Sequence, residues 1–324
     1  METPGRSAVV CFGEALALVP DAAAVDDPRA PAHAAGAEVN VALDLAAAGV
    51  AVAWVGRLGD DRHGALVQHT LAAAGVDTGG IGVDPDLPTG RYAKSPAPDG
   101  GTLMTYRRSG SAASAAGPEL LEVPAVRDRI AVADWVHVGG ITAAVSASCA
   151  AALAALLAHP RRYRVVFDVN WREQMWPDGD PAPVAALADR ADVVLVGADE
   201  ARRVFGTDDP ARLRALLPGP ELVVVKDGAR RALAVHRDGA VTERAALVVD
   251  VVEPVGAGDA FAAGLLTGLV HGEDVGRCLR RGHLGAAAVL VVPGDSAAPL
   301  PEHLLDLDDD AWATLRVSAD REAV

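Results

Sequence analysis

Long apolar runs are missing from these 324 residues. No stretch approaches the roughly 18 consecutive apolar residues of a membrane-spanning helix. The N-terminus also lacks a basic stretch followed by an apolar signal core, so a cytoplasmic protein without a membrane partner is expected. Aromatic residues make up only 4%, and the hydrophobic share of 51% is swollen by alanine, a helix former. Cysteine is equally sparse. Cys11, Cys149 and Cys278 are odd in number, far apart and without a CxxC or Cys/His cluster, which argues against a disulfide framework or a zinc site and for small core residues. Basic charge is short as well: 29 Lys and Arg against 44 Asp and Glu give a net charge of -15. Such a surface repels a phosphate backbone, so no nucleic-acid partner is expected, and any anionic ligand needs a local basic pocket. Lysine occurs only at Lys94 and Lys226.

What is present is an alternation. Apolar runs at 8–12, 52–56, 135–140, 163–170, 192–197 and 221–228 read as buried strands, several ending on a polar residue or glycine. Between them lie Ala/Leu-rich segments of helical length, at Val39–Ala48, His63–Ala74, Ser146–Ala158 and Ala257–His271. The pattern predicts a mostly parallel sheet covered by helices on both faces, with ligands outside the carboxyl ends of the strands. Two stretches break it. Residues 14–33, and 88–108 with its PAPDGG turn, read as antiparallel strands of a small sheet projecting as a lid. The acidic, polar residues 306–324 read as a loosely attached tail after a domain of 1–305.

The segment VVDVVEPVGAGDAFAAGLLTGLV carries the most chemistry. Gly256 and Gly258, with Ala257 between them, let backbone amides converge just before a helix begins, which makes an anion site suited to a transferring phosphoryl group. Asp259 lies in the first helical turn, where a low pKa is expected. A carboxylate beside an anion hole is placed to accept a hydroxyl proton as the oxygen attacks phosphorus. A dinucleotide fingerprint is excluded, because Phe261 occupies the place of the third glycine in GxGxxG. That weighs against a dehydrogenase.

The string from Glu253 through Gly264 resembles the second signature of the ribokinase-like (PfkB) carbohydrate kinases, D-[TP]-[TV]-G-A-G-D-x-F-x-A-G, with Glu253 in the place of the usual Asp. The first signature is resembled by AAGAEVNVALDLAAAGVAVAWVGRLGDDRHG, where Ala35 replaces the first glycine and Gly36 and Asn40 fall in place. FDVNWREQMWPD resembles the D-x-N-x-R-x-x-L-W motif, and GADEA the N-x-x-E element, with Gly197 replacing the asparagine. The likeness runs from about Phe12 to Pro301.

It implies a ribokinase-like three-layer α/β sandwich with a small β lid, and ATP with Mg2+ as cofactors. It implies Asp259 as general base and Gly256, Ala257 and Gly258 as the anion hole. Substrate residues would be Gly36, Asn40, Tyr92, Tyr106, Arg108, Arg172, Asp259 and Asp295. Nucleotide residues would be Asn170, Arg172, Lys226, Gly228, Gly256, Gly258 and His283, with Glu200 and Glu253 near the metal. The projecting lid leaves a homo-oligomer formed through it as an open expectation. Y-x-R-x-G-S-A-A-S at 106–114 is similar to the lid of 2-keto-3-deoxygluconate kinases. A pair of arginines, Arg107 and Arg108, aimed at one cleft of so acidic a protein suits a carboxylate ligand. The expected reaction is phosphorylation of 2-keto-3-deoxygluconate to its 6-phosphate. The alternatives are a fructokinase or ribokinase and, in another class, a sugar-binding regulator without catalysis, which the intact Asp259 turn opposes.

Overall fold

A computed structural model describes residues 8–96, 102–176 and 178–319. Its strands, in chain order, are β1 (Val9–Phe12), β2 (Leu16–Val19), β3 (His33–Ala35), β4 (Val52–Gly59), β5 (Asp77–Asp84), β6 (Gly90–Pro96) and β7 (Thr102–Arg107). They continue with β8 (Trp135–Gly139), β9 (Arg164–Asp168), β10 (Val193–Gly197), β11 (Leu222–Asp227), β12 (Arg231–His236), β13 (Val241–Ala245), β14 (Val248–Val249) and β15 (Arg316–Val317). Nine of them form one sheet in the order β13-β12-β11-β10-β9-β8-β1-β4-β5. From β5 to β11 the neighbours are parallel, while β12 and β13 add an antiparallel edge.

The strand sequences explain why both faces are covered. Alternate side chains of a strand point to opposite faces, and in β1 all four, Val9 to Phe12, are apolar and buried. Val10 and Phe12 pack into the cluster under the helices Ala147–Leu156 and Ala182–Ala188. Val9 and Cys11 pack into the opposite cluster, with the helices Ala37–Ala47, Ala257–His271 and Val275–Leu290. The result is a helix-sheet-helix sandwich with the expected mostly parallel sheet. Cys11, Cys149 and Cys278 are buried free thiols. No helix of the described residues is long and apolar enough to cross a membrane.

A second sheet, β3-β2-β6-β7, is the projecting lid. Its connectivity corrects the antiparallel expectation: β2 runs parallel to β6, with Leu16 opposite Gly90, and only the β2/β3 and β6/β7 pairs are antiparallel. Residues 97–101 of the PAPDGG turn lie outside the described residues.

The C-terminal stretch is not a loose tail as far as residue 317. Trp312 is 1% exposed and donates from Nε1 to the Ala245 carbonyl at 2.8 Å, and the Arg280 guanidinium lies 4.8 Å over its ring. Val317 is fully buried in β15, which pairs with β14. A single tryptophan and a few aliphatics are enough to dock an otherwise acidic segment when a matching apolar surface exists.

Candidate active site

The carboxyl ends of β1, β8, β9, β10 and β11 line one edge of the sheet, and polar side chains gather there. At the centre is Asp259, in the first turn of the helix Ala257–His271. The turn before it depends on Gly256, whose φ of 85° is left-handed and whose added Cβ would lie 2.7 Å from the Asp295 carbonyl oxygen. Asn40, from the helix Ala37–Ala47, donates from Nδ2 to Asp259 Oδ2 at 2.8 Å. Gly36 precedes that helix with a φ of 132°, and a Cβ there would meet the Glu14 carbonyl at 2.6 Å. Two segments that lie far apart in sequence, around residues 36–40 and 256–259, are thus joined at one carboxylate.

The low pKa expected for Asp259 from its helix position is not what its surroundings produce. Burial pushes it up to about 7, against the Asn40 hydrogen bond; Asp168 raises it further, and Lys226 and Arg172 oppose. Desolvation outweighs the helix end, and the neighbouring Asp168 charge adds to it. A carboxyl that titrates near neutrality can both take and give a proton there. Beside it, Glu38 is 1% exposed and pushed up to about 8, first by burial and then by Asp259 and Glu14, against the hydrogen bond from Thr142.

At the neighbouring strand ends, Lys226 at the end of β11 reaches Asp168 at the end of β9, with Nζ 3.1 and 3.3 Å from its two oxygens. Gly258 lies against the same ammonium, since a Cβ there would stand 3.7 Å from Nζ. Gly228, with a φ of 52°, makes the β11/β12 turn, and Asn170, a buried non-glycine at φ 39°, follows β9. Glu200 accepts from the Gly197 amide at 2.8 Å and from Arg172 Nη1 at 3.3 Å. Burial and Asp168 raise its pKa. Among the described residues no group of three or more His, Cys, Asp and Glu side chains is set to hold a metal by itself. Magnesium, however, keeps several waters and takes one or two protein carboxylates together with phosphate oxygens, and the Asp168/Glu200 pair fits that role.

His283, expected beside the nucleotide, and Glu253, expected near the metal, have other partners. His283 is buried, packs edge-on to Phe261 at 5.4 Å and meets the Arg244 carbonyl at 3.2 Å, and burial pushes its pKa down to about 4. Glu253 has both oxygens engaged, one by Lys94 Nζ at 2.7 Å and one by the Gly294 amide at 3.1 Å. Being one methylene longer than Asp, it reaches Lys94 on the lid.

The lid closes the site from above. Tyr92 and Tyr106, opposite each other on β6 and β7, stack at 5.4 Å, and the Arg108 guanidinium lies 4.8 Å over the Tyr106 ring. The Tyr92 hydroxyl donates to Asp295 Oδ2 at 3.3 Å. Arg107 and Arg108 do not act as the pair expected: Arg107 bonds exposed Asp26, whereas Arg108 turns into the cleft. There its Nη2 and Nε edge is taken by Glu14, 3% exposed, and among the described residues its Nη1 meets the Met175 sulfur, at 2.8 Å. Glu14 was legible only as a polar residue just past a strand end; its partner lies 94 residues away.

The fold and this site define a phosphoryl-transferring sugar enzyme, and comparison with known proteins agrees. The model of the pfkB family carbohydrate kinases matches residues 6–303, and the chain belongs to that family. It is 34% identical over 286 residues to the 2-dehydro-3-deoxygluconokinase of Thermoproteus tenax, covering 85% of each chain. It is 31% identical to the 2-dehydro-3-deoxygalactonokinase of Haloferax volcanii, over 91% of this chain and 95% of that one. The crystal structure of a PfkB protein from Polaromonas sp. JS666 superposes with a TM-score of 0.75 at 33% identity, covering 89% of this chain and 97% of that one. The protein is therefore a sugar kinase with a ribokinase-like fold, and a kinase of this family takes ATP as phosphoryl donor.

Proposed function

We propose that the chain phosphorylates the terminal hydroxyl of a 2-keto-3-deoxy sugar acid, 2-keto-3-deoxygluconate (2-dehydro-3-deoxygluconate), giving its 6-phosphate. The observation that carries this reading is Arg108. Its Nη2/Nε edge is fixed by buried Glu14, while Nη1 faces a thioether, a weak acceptor that a substrate carboxylate would displace. The names of the two relatives, both kinases of deoxy sugar acids, support it.

In this reading Arg108, Arg172 and the Tyr106 hydroxyl hold the carboxylate, while Gly36, Asn40, Tyr92 and Asp295 orient the hydroxyls. Asp259 takes the proton of the attacking hydroxyl as the oxygen bonds to the γ-phosphorus and the bond to the leaving diphosphate breaks. The amides of Gly256, Ala257 and Gly258 at the helix end stabilise the charge on the transferring group. Lys226, Gly228 and Asn170 face the nucleotide phosphates. Magnesium, when bound with the nucleotide, neutralises phosphate charge, and Glu200 and Asp168 are the residues to hold its waters. Enclosure by the lid keeps water from competing as acceptor.

Sugar acids should therefore be much better substrates than neutral ketoses. A charge-assisted hydrogen bond contributes about 1.5–3 kcal/mol, so Arg108→Ala should raise the sugar-acid KM roughly 10-fold to 100-fold and alter fructose kinetics far less. The measurement is kcat/KM for 2-keto-3-deoxygluconate and fructose, in wild type and variant. A preference of the wild type for fructose, or equal losses on both sugars, would replace this reading with a fructokinase.

A further inference from the structure

Lys94 has no part in the scheme above, yet it is one of only two lysines in the chain and lies in the cleft beside the other site residues. It leaves lid strand β6 two residues after Tyr92, on the same face of the strand. Its Nζ lies 2.7 Å from Glu253 Oε1 and 2.7 Å from Asp295 Oδ1. Tyr92 takes the other Asp295 oxygen. The lid thus holds both oxygens of Asp295.

The chain of contacts runs on into the catalytic turn. Glu253 also accepts from the Gly294 amide. The backbone of Asp295 lies so close to Gly256 that a Cβ on that glycine would come within 2.9 Å of the Asp295 Cα. Direct contacts thus run from β6 through one ammonium to Glu253 and Asp295, and the Asp295 backbone abuts Gly256.

We propose that Lys94 is a positioning residue that latches the lid to the catalytic turn, so that closing over the sugar and ordering the anion hole are one event. The proposal rests on the assignment of Asp295 to a sugar hydroxyl and of Gly256–Gly258 to the phosphoryl group. An exposed ion pair would do little of this. Here the three side chains are only 18%, 27% and 13% exposed, and one ammonium separates two carboxylates that would otherwise face each other. Burial opposes the charge on Lys94, but the hydrogen bonds to Asp295 and Glu253 hold its pKa above the usual lysine value. The same bond to Lys94 holds Glu253 below the usual carboxylate value.

The test uses the full chain with Lys94→Met, which keeps the aliphatic stem, Lys94→Arg, which keeps the charge, Glu253→Gln, and the Lys94→Met/Glu253→Gln double variant. Read out are sugar KM, ATP KM, kcat, ADP release without sugar, and amide exchange of residues 92–95 and 253–259 in the ligand-free protein. Losing a charged hydrogen bond is expected to raise sugar KM and lower kcat by roughly 10-fold each in Lys94→Met, with ATP KM within about twofold. ADP release without sugar should rise relative to release with it. Exchange should quicken in both segments together, Lys94→Arg should recover most of kcat, and the double variant should be no worse than Lys94→Met alone. Unchanged sugar KM and kcat, equal rises in both KM values, or additive losses in the double variant would overturn the latch. Should Lys94→Met not fold, Glu253→Gln decides: exchange and sugar KM both at wild-type values reject the proposal. The exchange measurement needs no sugar, so it reads the latch even if the substrate proves to be a different one.

Discussion

Asp259→Asn is expected to lower kcat by roughly 100-fold to 10,000-fold, the range for loss of a general base, while ATP binding stays near its wild-type value. The amide keeps the shape of the side chain and can still accept from Asn40 Nδ2 through its carbonyl oxygen. The pH dependence sharpens the test. With its pKa pushed up to about 7 by burial, Asp259 should be protonated in acid and unable to serve there as the proposed base. The rate at low substrate should rise from pH 5 and level off above about pH 8, and this acid limb should vanish in the variant. Stability moves the other way. A carboxyl whose folded pKa is raised stabilises the fold only while protonated, and that contribution is lost as the pH climbs from the ordinary carboxylate range through about 7. The variant should therefore unfold at a slightly higher temperature than wild type at pH 8, and the gap should narrow towards pH 5. A variant with wild-type kcat, or one that keeps the acid limb, rules out Asp259 as the base.

Gly256→Ala should be nearly as damaging, for a different reason. A left-handed φ of 85° is strained for any L-residue, and the new Cβ would press on the carbonyl and Cα of Asp295, which are backbone atoms that cannot swing aside. The turn must shift, and under the proposed mechanism its amides would then no longer converge on the phosphoryl oxygens. Loss of such donors costs about 100-fold to 1,000-fold in kcat. Gly239→Ala is the control. Its φ is 88°, in the hairpin between β12 and β13, and no atom lies within 4 Å of the Cβ position. It should lose a comparable amount of stability to backbone strain but no turnover. Equal kcat losses in the two variants, in assays at the same folded fraction, would mean that the turn acts only through stability.

Much of the fold is legible because its signals are local. The apolar runs at β1, β8, β9, β10 and β11 each extend over a strand's length, and the Ala/Leu segment Ala257–His271 matches the observed helix end to end. The GAGD turn is legible for the same reason: its glycines and its carboxylate are within four residues of one another.

What the sequence hides is pairing across distance. Glu14 meets Arg108 over 94 positions, and Lys94 meets Glu253 over 159 and Asp295 over 201. No periodicity encodes such contacts. A rare lysine in an arginine-rich chain was the single hint at Lys94. The docking of residues 302–317 was hidden as well, because the value of Trp312 depends on a groove built by β13 and the helix Val275–Leu290. Asp259 illustrates a conflict of rules: the helix terminus favours its charge, desolvation opposes it, and desolvation prevails. His283 likewise follows its surroundings, a phenyl edge and a backbone carbonyl, over any motif position.

The central claim is the reaction itself, and phosphorus NMR of the product tests it most directly. Purified protein with ATP, magnesium and 2-keto-3-deoxygluconate should yield ADP and, in equal amount, one phosphomonoester resonance split by two methylene protons, as phosphorylation at O6 requires. ADP without a phosphomonoester, a phosphate on a CH–O carbon, or product from fructose or ribose and none from the sugar acid would contradict the account.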